Sequence, residues 1–325
     1  MSAHAATAGE EGWPLLEAAA ARLAPDAPEA AARGRAALRA VLEPLRNSAW
    51  PEEAWRFSDL TPGGFPAELV WRPRRPGLFW TAEAAAPEMA AEERLGAALK
   101  RLAALGAPSL PPDSLDLARR AAAQAREKHS IWIGGRHEAE GDRYKLYLGT
   151  PETAEAIMPR AGRWRPASTA GLRLCLLGLD AEGKAELYWR RRRYEPGDLT
   201  TLGRTTDLAM AGARLRAGLA ALCGRDPERA LEGRRLTFSL QLAPDGEPVA
   251  LSLFCALPCT ALGPVARVLE WLEAQAARGG APAPGALWRR GMLWPSWLCA
   301  AATAEGLTWH AGLLVRPPPG EAGTA

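Results

Sequence analysis

HSIWIGGRHEAEGDRYKLYLG, residues 129–149, reads as two strands joined by a turn. In the second strand Arg143, Lys145 and Tyr147 alternate with Tyr144, Leu146 and Leu148. Period-two alternation sends the two sets to opposite faces. One face is apolar or aromatic, and the other carries two cations and a phenol. Donors in such a row suit a diphosphate, because each adds a charge-assisted or hydroxyl hydrogen bond to an oxyanion. The same spacing also fits an ordinary solvated strand face, so the choice depends on what surrounds it.

The pattern recurs on both sides. Pro62-Gly63-Gly64 leads into a strand over 65–72, and Arg75-Pro76-Gly77 into another over 78–82. Residues 171–180 and 184–191 pair around Ala181-Glu182-Gly183. Residues 234–242 and 249–255 pair across Pro244-Asp245-Gly246, where Asp-Gly is a strong hairpin signal. A last pair, 294–303 and 307–315, turns at Glu305-Gly306. Helical spacing runs over 13–45, 92–105, 115–128, 206–222 and 264–277, with a short helix at 151–158. The first stretch breaks between Pro25 and Pro28; Asp26 is placed to cap its second half and Pro44 to kink or end it.

Five hairpins separated by helices form a repeat. Consecutive hairpins favour antiparallel sheet, and ten strands can close into a barrel that leaves no edge. The expected class is therefore α+β, an antiparallel ten-stranded β-barrel surrounded by helices. Leu236, Phe238, Leu240 and Leu242 oppose Thr237, Ser239 and Gln241 along one strand. With the apolar faces on the helices, the polar and aromatic faces line a lumen that can hold a ligand. A flat sheet with helices on one face, serving as an interaction module, is the other arrangement the pattern allows.

Composition narrows the function. The 325 residues carry a net charge of +3, too little to imply nucleic acid or an anionic membrane. The arginine run 190–193 has no aromatic residues interleaved at readable spacing and reads as a solvated rim. Cys175, Cys223, Cys255, Cys259 and Cys299 show no C-x-x-C or zinc spacing and read as buried thiols of a reducing compartment. No signal peptide and no membrane span is legible, which points to a cytoplasmic protein. Residues 1–10 read as a disordered tail, 11–316 as one domain and 317–325 as a Pro/Gly-rich tail. There is no D-D-x-x-D pair, phosphate loop, G-x-S-x-G or H-E-x-x-H. Gly134-Gly135 sits inside a strand, where it permits a bulge or a close approach.

The run WIGGRH…RYKLYLG, residues 132–137 and 143–149, followed by Lys184, Glu186 and Tyr188, resembles the ABBA or PT-barrel aromatic prenyltransferases. Indole-type and compact bacterial peptide-modifying (cyanobactin-type) members are the most similar. The segment GFPAELVW…GLFWTAEAAAPE, residues 64–71 and 77–88, is similar to that family's first hairpin, and the resemblance covers about residues 65–316. It implies transfer of a prenyl group, dimethylallyl or geranyl, from its diphosphate to an aromatic amino acid or peptide acceptor. The diphosphate is then a co-substrate; no tightly bound cofactor, nucleic acid or membrane is implied.

Carried onto this chain, the resemblance assigns Arg143, Lys145, Tyr147, Lys184, Tyr188 and His310 to the diphosphate. Phe79 and Phe254 become shields of the allyl cation, and Trp132, Glu186 and Ser252 join them around the acceptor. Glu68 holds and deprotonates the acceptor. Several positions depart from the family pattern: Phe79 stands for arginine, Glu186 for lysine, Ser252 and Phe254 for a polar residue and tyrosine, and His310 for tyrosine. A carboxylate and a phenyl ring in place of cations weaken a diphosphate cage. Cations from elsewhere, such as Arg190, or a Mg²⁺ between Glu186 and the diphosphate would restore it. Otherwise the barrel binds a prenyl diphosphate or peptide without turnover. Trp189, Trp309 and Trp80 fall on the outward face and are assigned to packing; for Trp297 core packing is one open reading.

Overall fold

Each of the five expected hairpins forms, and together they close on themselves. The structure is a computed structural model that describes residues 7–50, 54–73, 75–86, 88–124, 131–150, 172–206, 208–257, 262–279 and 293–315. The hairpins are β1 (Ala67–Trp71) with β2 (Leu78–Glu83), β3 (Ile131–Glu138) with β4 (Gly141–Gly149), and β5 (Leu172–Asp180) with β6 (Ala185–Arg191). β7 (Leu236–Leu242) with β8 (Pro248–Ala256) and β9 (Trp294–Thr303) with β10 (Leu307–Leu314) complete the set. Every strand pairs antiparallel with its sequence neighbours, and β1 pairs with β10 to close the barrel. Gly183 (φ 80°) and Gly246 (φ 87°) take the left-handed conformation that their hairpin turns need. The flat-sheet arrangement is excluded.

Among the described residues eight helices pack around this sheet: α1 (Thr7–Leu23), α2 (Pro28–Arg46), α3 (Ala91–Ala104), α4 (Pro112–Gln124), α5 (Asp198–Thr205), α6 (Ala209–Cys223), α7 (Pro227–Leu231) and α8 (Val265–Gly279). The core lies between barrel and helices. Leu236, Phe238, Leu240 and Leu242 of β7 join Leu38, Val41, Leu42 and Leu45 of α2 and Leu215 and Leu219 of α6 in one buried cluster. Close approach is built in at Gly34 of α2, where a Cβ would lie 2.9 Å from His137 and Leu78. On that outward face Trp80 stacks on His137 with centroids 5.8 Å apart.

Several local expectations change. α1 begins at Thr7, inside the stretch read as a tail. Ala27, not Asp26, caps α2, and its side chain makes no capping bond. Pro44 is accommodated, and α2 ends two residues later at Arg46. The helix expected over 206–222 is α6, starting at Ala209, and an unexpected helix precedes it: Thr206 turns its hydroxyl onto the Leu202 carbonyl at 2.6 Å and terminates α5. β3 and β4 pair without a bulge; the Gly134-Gly135 space is filled by the rings of Tyr147 and Trp80. Cys175 is only half-buried. The helix expected at 151–158, Cys259 and the C-terminal tail lie outside the described residues.

Candidate active site

Alternation along the strands delivers one residue in two to the interior, which opens into a space of about 1840 Å3 that also reaches residues of α6 and α8 beyond the lumen. Small-molecule sites run to roughly 300–1,000 Å3, so this space exceeds the needs of one small ligand. Four aromatic rings form an arc along its wall. Tyr147 and Tyr188 stand with centroids 6.2 Å apart, Tyr188 and Phe254 5.7 Å, Phe254 and Trp297 5.4 Å. A cation passing along this arc meets ring faces and edges rather than lone-pair nucleophiles. Trp297, left open between core and lumen by the alternation alone, is a wall residue.

The arc ends at Glu68. Its Oε2 accepts a hydrogen bond from Trp297 Nε1 at 2.7 Å, and Oε1 accepts from the Ser296 hydroxyl. Adjacent residues of a strand ordinarily point apart. Here the β9–β10 register slips between Gly312 and Leu313, so Ser296 is an extra residue and both side chains reach the carboxylate. Burial pushes the Glu68 pKa up to about 7 even though Ser296 and Trp297 oppose the shift. A general base serves best with a pKa near the working pH.

The expected diphosphate residues share the inward face, and several are already engaged. Lys145 Nζ bonds Glu186 Oε2, and the Ser239 hydroxyl donates to Glu186 Oε1. Gly178 makes this possible, since a Cβ there would lie 2.5 Å from the lysine Cε. Burial would raise the Glu186 pKa, but Lys145, Ser239 and Arg136 hold it down at about 2, so the pair is ionic. Arg143 Nη2 donates to Glu138 Oε2 at 2.9 Å and is half-exposed. Lys184 bonds Glu182 at the rim. Burial, followed by Glu186, pushes the Tyr188 hydroxyl well above 10, which keeps it a donor. His310 lines the chamber, but burial and then the nearby arginines Arg72, Arg136 and Arg75 push its pKa well below 6.5. It is neutral at pH 7. Ser252 lines the wall opposite Ser239, and Phe79 is buried on the inward face of β2.

Three functional-looking groups escaped the sequence reading. Arg136 and Arg72 both line the chamber. The first was legible in principle, because the two-residue turn at Ala139-Glu140 sets it opposite Arg143. Arg72 lies just past β1 and carried no such mark. The third is Glu83, fully buried, whose Oε1 accepts from Trp132 Nε1 at 2.8 Å and from the Ser58 hydroxyl at 2.6 Å. It fixes the indole of Trp132 in the wall. Burial pushes its pKa up to about 8; Arg94, 4.0 Å away and hydrogen-bonded to the Ala86 and Met89 carbonyls, does not offset that. Among the described residues no group of three His, Cys, Asp or Glu gathers to hold a metal. Both Glu186 oxygens already accept hydrogen bonds, from Lys145 and Ser239.

The barrel, its ring of helices and its lined interior define a fold shared with solved aromatic prenyltransferases. A 6-dimethylallyltryptophan synthase from Micromonospora olivasterospora, solved with DMASPP and Trp, superposes with a TM-score of 0.70 at 18% identity, covering 94% of this chain and 98% of that one. A 5-dimethylallyl tryptophan synthase from Streptomyces coelicolor gives 0.65 at 18% identity, covering 98% of both chains. NotF in complex with brevianamide F and DMSPP gives 0.64 at 13% identity, covering 95% of both. No protein-family model and no curated protein matches the sequence. At these identities the likeness establishes the PT-barrel fold. Among the described residues, no helix is long and apolar enough to cross a membrane.

Proposed function

We propose that this barrel transfers a prenyl group, dimethylallyl or geranyl, from its diphosphate to an aromatic amino acid side chain, free or within a peptide. The observation that carries the reading is the aromatic arc from Tyr147 to Trp297, with cations at one end and Glu68 at the other. The allylic C–O bond breaks and its electron pair leaves on the diphosphate, stabilised by the cations. The allyl cation is held between ring faces with water displaced. The acceptor's π electrons form the new bond, and the proton released from the attacked atom passes to Glu68. Solved structures of the same fold hold DMASPP with Trp, or DMSPP with brevianamide F. Among the described residues no disulfide joins two cysteines, in keeping with a reducing, cytoplasmic setting.

A second reading, binding without turnover, is favoured by one feature: Lys145 is neutralised by Glu186. Mass spectrometry separates the two. Purified protein is given dimethylallyl or geranyl diphosphate, with and without Mg²⁺, and tryptophan, tyrosine or short peptides containing them. Transfer adds one prenyl unit to the acceptor, and Glu68→Gln lowers the rate by about 10²–10⁴-fold. Diphosphate binding with no product in any combination establishes the binding reading.

A further inference from the structure

Phe79 stands on the inward face of β2 where the resemblance implies a cation, and the strands beside it supply two. Register sets Phe79 directly opposite Arg136 on β3 and Val70 on β1. Two residues past Val70, on the same side of the chain, Arg72 lays its guanidinium 4.6 Å from the centroid of the Phe79 ring. Both arginines line the chamber. Three other cations near the chamber have acidic partners: Lys145 has Glu186, while Arg143 and Arg75 share Glu138. Among the described residues Arg72 and Arg136 have no carboxylate at ion-pair distance, and Arg72 Nε is buried with no hydrogen-bond partner. Burying a guanidinium nitrogen without an acceptor is costly, and placing a second guanidinium nearby adds repulsion. Both effects register at Arg72, whose pKa falls to about 9 through burial first and Arg136 second. A dianionic group between the two forks would relieve both, accepting paired hydrogen bonds from each.

Resting on the prenyltransferase reading, we propose that Arg72 and Arg136 are the diphosphate clamp of this barrel, with Phe79 as the ring on which Arg72 stacks. Lys145 is then a structural partner of Glu186. The cage has moved around the wall, from the inward face of β2 to the strands on either side, while keeping its place in the chamber beside Tyr147. The stacking explains why phenylalanine is useful at position 79: it orients a guanidinium by its face without neutralising it.

Calorimetry with inorganic pyrophosphate at fixed salt tests the clamp without turnover. Arg72→Gln and Arg136→Gln each weaken binding about tenfold or more, and the double variant weakens it further. Adding Phe79→Arg to Arg136→Gln restores most of the loss, a recovery that a misfolded barrel cannot give. Wild-type affinity in both single variants, or no pyrophosphate binding by the wild type, overturns the clamp. The two proposals fail separately. Binding that depends on the arginines without any prenylated product refutes transfer and keeps the clamp. Product formation indifferent to both arginines refutes the clamp and keeps transfer.

Discussion

At Gly312 the absence of a side chain is a condition of the candidate base. A Cβ built there would lie 2.2 Å from the Trp297 indole and 2.8 Å from Glu68 Oε1, closer than real atoms approach. The backbone is held on both sides, by β1 and by β9, so the indole is what must move. Gly312→Ala is therefore expected to break the Trp297–Glu68 hydrogen bond while leaving the barrel folded. That bond lowers the Glu68 pKa from what burial alone would give, so its loss moves the pKa up from about 7. In rate–pH profiles the acid limb shifts to higher pH and kcat/KM at neutral pH falls about tenfold or more. A profile superimposable on the wild type would show that Glu68 does not depend on Trp297.

β10 shows at the scale of an element how much the sequence could disclose. Strict alternation put Trp309 outward and His310 inward, and both are found there: Trp309 in the core cluster and His310 on the chamber wall. Trp309 meets Trp271 of α8 edge to face at 4.4 Å, and a Cβ on Gly218 of α6 would lie 2.2 Å from Leu307. Two helices thus converge on one face of this strand. Trp309→Ala is expected to cost about 3–5 kcal/mol, read as a lower denaturation midpoint; a loss under about 1 kcal/mol would mean that α8 is not fixed through this pair. Five hairpins were legible because each joins two short strands across a turn marked by Gly or Pro, even where the register slips within the hairpin. α5 was not, since eight residues (Asp198–Thr205) following an arginine run give little periodicity to detect. The site was legible only where alternation is unbroken. The β9 slip that turns both Ser296 and Trp297 inward has no marker in the sequence. Arg72 sits past a strand end, where period-two reasoning stops.

Closing ten strands around a polar interior buries ionisable groups that an open sheet would leave in water, and the whole molecule's response to pH follows. Glu68 and Glu83 have folded pKa values of about 7 and 8, raised from 4.5 by burial. A raised carboxyl binds its proton more tightly folded than unfolded. Its contribution is complete below about 4.5 and is lost as pH rises through the folded value. His310, pushed well below 6.5, and Glu186, held at about 2, have the opposite sign. Their contributions are complete above 6.5 and 4.5 respectively, and are lost on acidification. Above about pH 7.5 the contributions of Glu186, His310 and the likewise depressed His137 are nearly constant, and among these groups the slope up to about pH 9 belongs to the raised carboxyls, Glu83 above all. Each contributes at most about 1.4 kcal/mol per pH unit while it titrates. Glu83→Gln keeps an acceptor for Trp132 and Ser58 but removes the titration. Urea midpoints measured across that interval should fall with pH in the wild type and fall distinctly less in the variant, most clearly near pH 8, where Glu83 titrates and Glu68 is largely ionised. Parallel curves would place the alkaline loss elsewhere and show that Glu83 is already ionised against Arg94 at neutral pH.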